Sequence, residues 1–173
     1  MRRALFQEQA GEGRIRCRLC PHCCLLGEGQ TGRCGVRRVE RGCLVSLVYD
    51  RIAALHADPV EKKPFFHVLP GTRTLSFAAP GCNLTCAWCQ NASLSQCAGE
   101  SLPGRELAPE GLVALALEQG CPSLAATYSE PTVFFELAQA VGRCAAAAGL
   151  LNLWVTNGFL SAEARRELAG WLD

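Results

Sequence analysis

The C-terminal part of the chain alternates short apolar runs with amphipathic segments. The apolar runs predict three strands, at residues 74–79, 123–127 and 150–156. Helices are predicted over residues 109–119, from Pro131 onward and after Ser161. The ring of Pro131 suits a first helical turn, and Ser161 suits an N-cap. Three successive strand–helix units predict a parallel sheet.

The first part of the chain has a different pattern. Residues 36–57 contain two β-rich runs around Gly42, which predict a hairpin. Residues 58–71 contain three prolines, so they predict a linker that folds over the following domain, with Glu61, Lys62 and Lys63 in a hydrated turn. The predicted organisation is a cysteine-rich N-terminal region at 1–57, a linker at 58–72 and a core at 73–173.

Polar motifs follow each predicted strand directly. PGCNLTC follows the first strand, YSEP the second and TNG the third. Because the turns after parallel strands share the carboxyl edge of the sheet, where ligands bind, the three motifs are predicted to converge on one pocket.

The first of these motifs carries the strongest chemical signal. Residues 80–91 read PGCNLTCAWCQN and place Cys82, Cys86 and Cys89 in a C-x3-C-x2-C pattern. Three thiolates can hold three irons of a cubane cluster, which leaves the fourth iron open to a substrate or cofactor. The alternatives for this spacing are half of a zinc site or buried thiols.

A second cysteine motif lies between residues 17 and 34. Gly27, Gly29 and Gly32 allow the tight turns that bring its last cysteine back to its first, which favours a structural zinc or an extra cluster over free thiols. Two ligand sets remain open: the ferredoxin-like start Cys17, Cys20 and Cys23, or the four-ligand set Cys17, Cys20, Cys24 and Cys34. His22 is interpreted as a bystander.

Composition narrows the functional classes. The chain has 173 residues, 49% of them hydrophobic, which is enough to bury a core. Its 17 Lys and Arg nearly balance 16 Asp and Glu, so a global basic field for nucleic acid is excluded. The sequence has neither an export signal nor a membrane-spanning run, which predicts a cytoplasmic protein without a membrane partner. In a reducing cytosol, twelve cysteines are better explained by metal binding than by disulfides.

Taken in order, CxLCPHxC, GxxGxCxVR, DPVEKKPFFHVLPG, GCNLTCAWCQN, TYSEPT and VTNG resemble the AmmeMemoRadiSam system radical SAM enzymes, relatives of pyruvate formate-lyase activating enzymes. The resemblance implies an α/β fold: a partial (β/α) barrel of radical-SAM type, here truncated to about three βα units, with an N-terminal cysteine-rich β hairpin region. It also implies a 4Fe-4S cluster whose free iron chelates S-adenosylmethionine.

The activity implied by the resemblance is reductive cleavage of S-adenosylmethionine to a 5′-deoxyadenosyl radical. That radical abstracts hydrogen from an unidentified substrate, a small molecule or a protein, in a role resembling glycyl-radical activation. The implied electron donor is a flavodoxin or ferredoxin. The alternatives are a non-catalytic iron-sulfur or zinc protein, acting as an electron carrier or a binding module, and an inactive fragment.

Site roles follow from the same resemblance. Glu130 stands where the family has the glutamate of a Gly-Gly-Glu-Pro turn that binds the methionine amine, and the alternative is a cap for the helix at Pro131. This chain has Tyr128 and Ser129 in place of the glycines. The other predicted cofactor neighbours are Asn83, Gln90, Asn91, Thr156, Asn157 and Trp88, and none of them is assigned a catalytic role. Trp88 is predicted near the adenine, with a place in the core or in an interface as the alternative.

The strand–helix alternation stops after three units, whereas the superfamily core has six. Half a barrel exposes a parallel strand edge, which proteins normally avoid. The sequence therefore predicts a truncated gene or a fragment, and inactivity despite a bound cluster is an alternative to the radical SAM activity.

Overall fold

The computed structural model describes residues 2–97 and 102–173. Within these ranges the chain is a mixed α/β fold with four small sheets of two to four strands and four α-helices. The predicted partial (β/α) barrel is therefore wrong: the parallel strands lie in an open four-stranded sheet whose fourth strand is antiparallel.

Six short strands form two antiparallel sheets in the first part of the chain. The strands are β1 (Arg2–Arg3), β2 (Gln7–Gln9), β3 (Ile15–Cys17), β4 (Leu25–Leu26), β5 (Arg37–Glu40) and β6 (Cys43–Ser46). Their orders in the two sheets are β2-β3-β4 and β1-β6-β5. The predicted hairpin is present as β5 and β6, joined through a turn at Gly42, where φ is +70°.

A four-stranded central sheet and a separate two-stranded sheet contain the remaining strands of the described ranges. The strands are β7 (Arg51–Ile52), β8 (Ala54–Pro59), β9 (Arg73–Ala78), β10 (Arg105–Glu106), β11 (Ser123–Ala126) and β12 (Leu151–Trp154). The central sheet has the order β12-β11-β9-β8, and β7 pairs with β10 in the smaller sheet. β9, β11 and β12 are parallel and correspond to the three predicted strands. β8 pairs antiparallel with β9 and extends past residue 58, where the linker was predicted to start.

Helices follow the parallel strands, as the amphipathic pattern predicts. The α-helices are α1 (Ala92–Ser95), α2 (Pro109–Glu118), α3 (Phe135–Ala147) and α4 (Ala162–Leu168). Pro131 opens a 3-10 turn, Pro131–Phe134, that continues into α3, and Ser161 caps α4 by accepting a hydrogen bond from the amide of Ala164 at 3.1 Å. A further 3-10 turn spans Val60–Lys62. None of the helices in the described ranges combines the length and apolar character needed to cross a bilayer.

One core joins the N-terminal sheets to the central sheet. Ile15, Leu19 and Val36 belong to the same buried cluster as Leu75 and Leu124 of the central strands. A buried ion pair crosses this junction, because Arg37 of β5 contacts Glu136 of α3 at 2.9 Å. The N-terminal region therefore packs beside the carboxyl edge of the central sheet.

Candidate metal and cofactor site

The three polar turns meet at one cavity of about 600 Å³. The register explains why: Ala126 at the end of β11 lies opposite both Phe77 of β9 and Trp154 of β12, so the three strands end level with one another. Whatever follows them in sequence must emerge at the same edge. The volume lies within the range of roughly 300–1,000 Å³ typical of small-molecule sites.

Most of the residues predicted to bind the cluster or its cofactor line this cavity, and three of them do not. Cys86 and Trp88 are outside the lining, and the Trp88 side chain is 88% exposed, so its alternative placement in the core is wrong. Asn83 is buried beside the cavity without lining it. The predicted residues in the lining are Cys82, Cys89, Gln90, Asn91, Tyr128, Ser129, Glu130, Thr156 and Asn157.

The loop after β9 presents its cysteines with hydrogen-bond donors beside them. The amide of Leu84 donates to Sγ of Cys82 at 3.4 Å, and Sγ of Cys89 lies 3.2 Å from Oγ of Ser95. Burial raises the pKa of Cys82, so a bound metal has to displace the thiol proton. Hydrogen bonds to sulfur are among the features that tune protein-bound iron-sulfur clusters.

Within residues 2–97 and 102–173, no three His, Cys, Asp or Glu side chains form a group suited to a single metal ion. A cubane cluster makes a different demand, because each of its irons takes its own thiolate. Three cysteines on one loop, two of them in a cavity wall, fit that demand better than they fit a closed zinc site.

Glu130 connects the second and third turns. Its carboxylate is buried and accepts hydrogen bonds from the amide and hydroxyl of Thr132, at 3.0 and 2.6 Å, from the hydroxyl of Thr156 at 2.6 Å and from the amide of Asn157 at 2.8 Å. The bond from the Thr132 amide confirms the capping interpretation. A contact with a cofactor amine stays a prediction.

Side-chain amides join the cysteine loop to the other two turns. Asn91 donates to the carbonyl of Tyr128 at 2.8 Å, and Asn157 donates to Oδ1 of Asn83 at 3.2 Å. Asn83 in turn donates to the carbonyl of Phe159 at 2.8 Å. These asparagines therefore position the three turns relative to one another.

An acidic and basic cluster from the predicted linker forms another wall of the cavity. Asp58 accepts hydrogen bonds from Lys62 at 2.8 Å, from Lys63 at 2.9 Å and from the hydroxyl of Tyr128. Lys63 is only 5% exposed and lies 4.0 Å above the centre of the Tyr128 ring. The predicted hydrated turn is therefore wrong for Lys63. The spacing of Asp58 and Lys62, four residues apart, is the signal in the sequence that could have suggested this cluster.

This cluster predicts an alkaline titration. Burial, and then the hydrogen bond to Asp58, raise the pKa of Tyr128 to about 12. Since the protonated phenol is favoured, its contribution to stability is complete below the unfolded pKa of about 10 and is lost as pH rises through the folded value. Of the two tyrosines, we expect one to ionise late in near-ultraviolet absorbance. Tyr128→Phe should remove the late transition and Tyr49→Phe should keep it; the reverse outcome would contradict the assignment.

The N-terminal cysteine motif lies against the cysteine loop. Nε2 of His22 is 2.7 Å from the carbonyl oxygen of Asn83, so this residue is a link between the two motifs. Gly81, at φ +99°, packs so closely that an added Cβ would lie 2.7 Å from the carbonyl oxygen of Cys34. Burial raises the pKa of Cys34 to about 11. All twelve cysteines lie in the described ranges and none forms a disulfide.

Comparisons with known proteins give one informative similarity. No family model matches the chain, and no solved structure matches it. The chain is similar to an uncharacterized protein of Methanocaldococcus jannaschii, with 38% identity over 168 residues. The match covers 97% of this chain and 50% of that relative, so the chain spans about half the length of the curated relative it matches.

Proposed function

We propose that this chain binds a 4Fe-4S cluster and S-adenosylmethionine as part of a cytoplasmic radical SAM enzyme. The observation that carries the proposal is the position of Cys82 and Cys89 in the wall of a 600 Å³ cavity whose other walls are the turns after the second and third parallel strands. A cluster with one free iron needs such an adjoining space for its ligand.

Opposite charges in the cavity wall support an amino-acid cofactor. In the part of the lining that the structure describes, the cations are Lys62 and Lys63, both of which also bond to Asp58. The carboxylate there is Glu130, which also accepts bonds from neighbouring turns. The ammonium and carboxylate of S-adenosylmethionine require one partner of each sign if they are to leave water. The free cysteines also agree with a reducing compartment.

In this proposal, Cys82, Cys86 and Cys89 hold the cluster, and Asn83, Asn91 and Asn157 keep the three turns in register. When bound and reduced by an external donor such as a flavodoxin or ferredoxin, the cluster would supply the electron for reductive cleavage of S-adenosylmethionine to methionine and a 5′-deoxyadenosyl radical. The buried carboxylate of Glu130 orients the turn at Asn157, while Lys63 and Tyr128 close the side of the cavity toward β8. The hydrogen donor remains a substrate of unknown identity, either a small molecule or a protein.

A test compares cofactor binding and cleavage in anaerobically reconstituted protein. We expect S-adenosylmethionine to change the EPR spectrum of the dithionite-reduced cluster and to be cleaved to methionine and 5′-deoxyadenosine. Cys82→Ser should abolish both responses, and Cys43→Ser, in β6, should keep them. An intact cluster without any spectral response to S-adenosylmethionine would contradict the proposal and favour an electron carrier. A changed spectrum without cleavage would favour a cofactor-binding but inactive fragment.

A further inference from the structure

The N-terminal cysteine motif is a second site that the proposed activity does not use. Cys17, at the end of β3, and Cys24, just before β4, face each other across the hairpin, where the amide of Cys17 donates to the carbonyl of Cys24 at 2.9 Å. Cys20 lies in the intervening turn, which is closed by a bond from the amide of Cys23 to its carbonyl at 3.1 Å. With Cys34, these residues line one enclosed cavity.

Backbone amides lie near three sulfurs of this motif. The amides of Leu19, His22 and Val36, each two residues beyond a cysteine, are placed beside the sulfurs of Cys17, Cys20 and Cys34. In the cysteine loop, the amide of Leu84 holds the corresponding position and donates to Sγ of Cys82 at 3.4 Å. The amides of the N-terminal motif are therefore placed to orient thiolate ligands, as donors around a metal site do.

One unpaired donor atom of Arg37 supports the same assignment. Arg37 lines the cavity with its side chain 1% exposed, and although its terminal nitrogens contact Glu136, its Nε–H has no acceptor among the described residues. A buried donor without an acceptor is costly. Four thiolates around a dication leave net negative charge in the cavity, which stabilises this donor.

We propose that Cys17, Cys20, Cys24 and Cys34 bind one structural Zn²⁺ ion as a closed tetrathiolate site that fixes the neighbouring cysteine loop. The size of the cavity selects a single ion over a second cluster: its volume is about 20 Å³, little more than the roughly 10–15 Å³ that one water needs. Among the described residues these four thiols are not grouped closely enough to hold an ion. Zinc binding therefore requires their side chains to move toward one another.

The ion acts on the cysteine loop through two contacts. Cys34 and Val36 pack against Gly81, and His22 pairs with the carbonyl of Asn83. Zinc binding fixes Cys20 and Cys34, and thereby the backbone at Gly81 and Asn83. The site therefore has a positioning role and leaves no open coordination position for chemistry.

Metal analysis of the full chain, purified without iron-sulfur reconstitution, tests the ligand set. We expect about one zinc per chain, retained in Cys82→Ser/Cys86→Ser/Cys89→Ser and lowered about tenfold or more in Cys24→Ser and Cys34→Ser. Cys23→Ser is the matched control, since it removes an exposed neighbouring thiol. Equal loss of zinc in Cys23→Ser, or iron instead of zinc in the triple variant, would overturn the proposal.

Two measurements keep the test decisive if Cys24→Ser does not fold. Co²⁺ added to the zinc-free wild-type chain should give the absorption bands of tetrahedral thiolate-bound cobalt, and their absence would overturn the site. Zinc removal should accelerate amide hydrogen exchange at residues 81–84 but not in α2; unchanged exchange at 81–84 would overturn the positioning role. Failure of S-adenosylmethionine cleavage leaves all these outcomes unaffected.

Discussion

Glu136→Ala is expected to destabilise the fold by about 3–5 kcal/mol, because it leaves a buried guanidinium without its counter-ion. Arg37 and Glu136 are 1% and 3% exposed, and two contacts, at 2.9 and 3.3 Å, join them. Glu136 also accepts from the amide of Leu5 at 2.7 Å, and that donor loses its partner too. Urea denaturation at equal metal content measures the change as a lower midpoint with an unchanged slope.

Two variants define what the pair contributes. Glu40→Ala breaks the more exposed pair with Arg38 and should cost less than about 1 kcal/mol. Arg37→Met combined with Glu136→Leu should recover most of the loss, since the cost lies in the stranded charge. If Glu136→Ala costs no more than Glu40→Ala, the junction between the N-terminal sheets and α3 does not depend on this pair.

The sequence was sufficient for the three parallel strands and the turns that follow them. Strands at 74–79, 123–127 and 150–156 differ from β9, β11 and β12 by no more than two residues at any end. Local apolar runs are enough to predict such strands. The position of the cavity follows from the rule that the turns after parallel strands lie at one edge of the sheet. Both inferences depend on residues close together in the chain.

The barrel was wrong because strand–helix alternation does not determine how a sheet ends. β8 comes from outside the alternating region, and its antiparallel pairing covers the free edge of β9. The prolines that suggested a linker are compatible with this strand, because Pro59 ends β8 at an outer position of the sheet. The pattern of apolar and polar residues at 54–59 does not distinguish an edge strand from one strand of a hairpin.

Contacts between residues far apart in the chain could also not be predicted from the sequence. Tyr128 and Asp58 are 70 positions apart, and the bonds from Thr156 and Asn157 to Glu130 span 26 and 27 positions. Polar residues at these positions indicated a site. Their spacing did not indicate that most of them hydrogen-bond to one another. Several predicted cofactor neighbours therefore stabilise the turns in the structure.

Glu130→Gln is expected to cost about 1.5–3 kcal/mol for each hydrogen bond to the carboxylate that it removes. The amide group of glutamine has to face either the Thr132 amide or the Asn157 amide, so at least one buried donor loses its acceptor. Glu118→Gln, on the exposed side of α2, is the matched control and should change stability by less than about 0.5 kcal/mol. Thermal or urea unfolding measures both.

The same variant separates the two roles of Glu130 when it is compared with Thr156→Val. Thr156→Val removes one donor to the carboxylate but keeps its charge, so it loosens the turn without removing a partner for a cofactor ammonium. If Glu130 contacts S-adenosylmethionine, Glu130→Gln should weaken binding of the cofactor to reconstituted protein by about tenfold more than Thr156→Val, as expected for a lost charged partner. Equal weakening in both variants would make Glu130 a cap only, because the cofactor would then sense the geometry of the turn and not the charge.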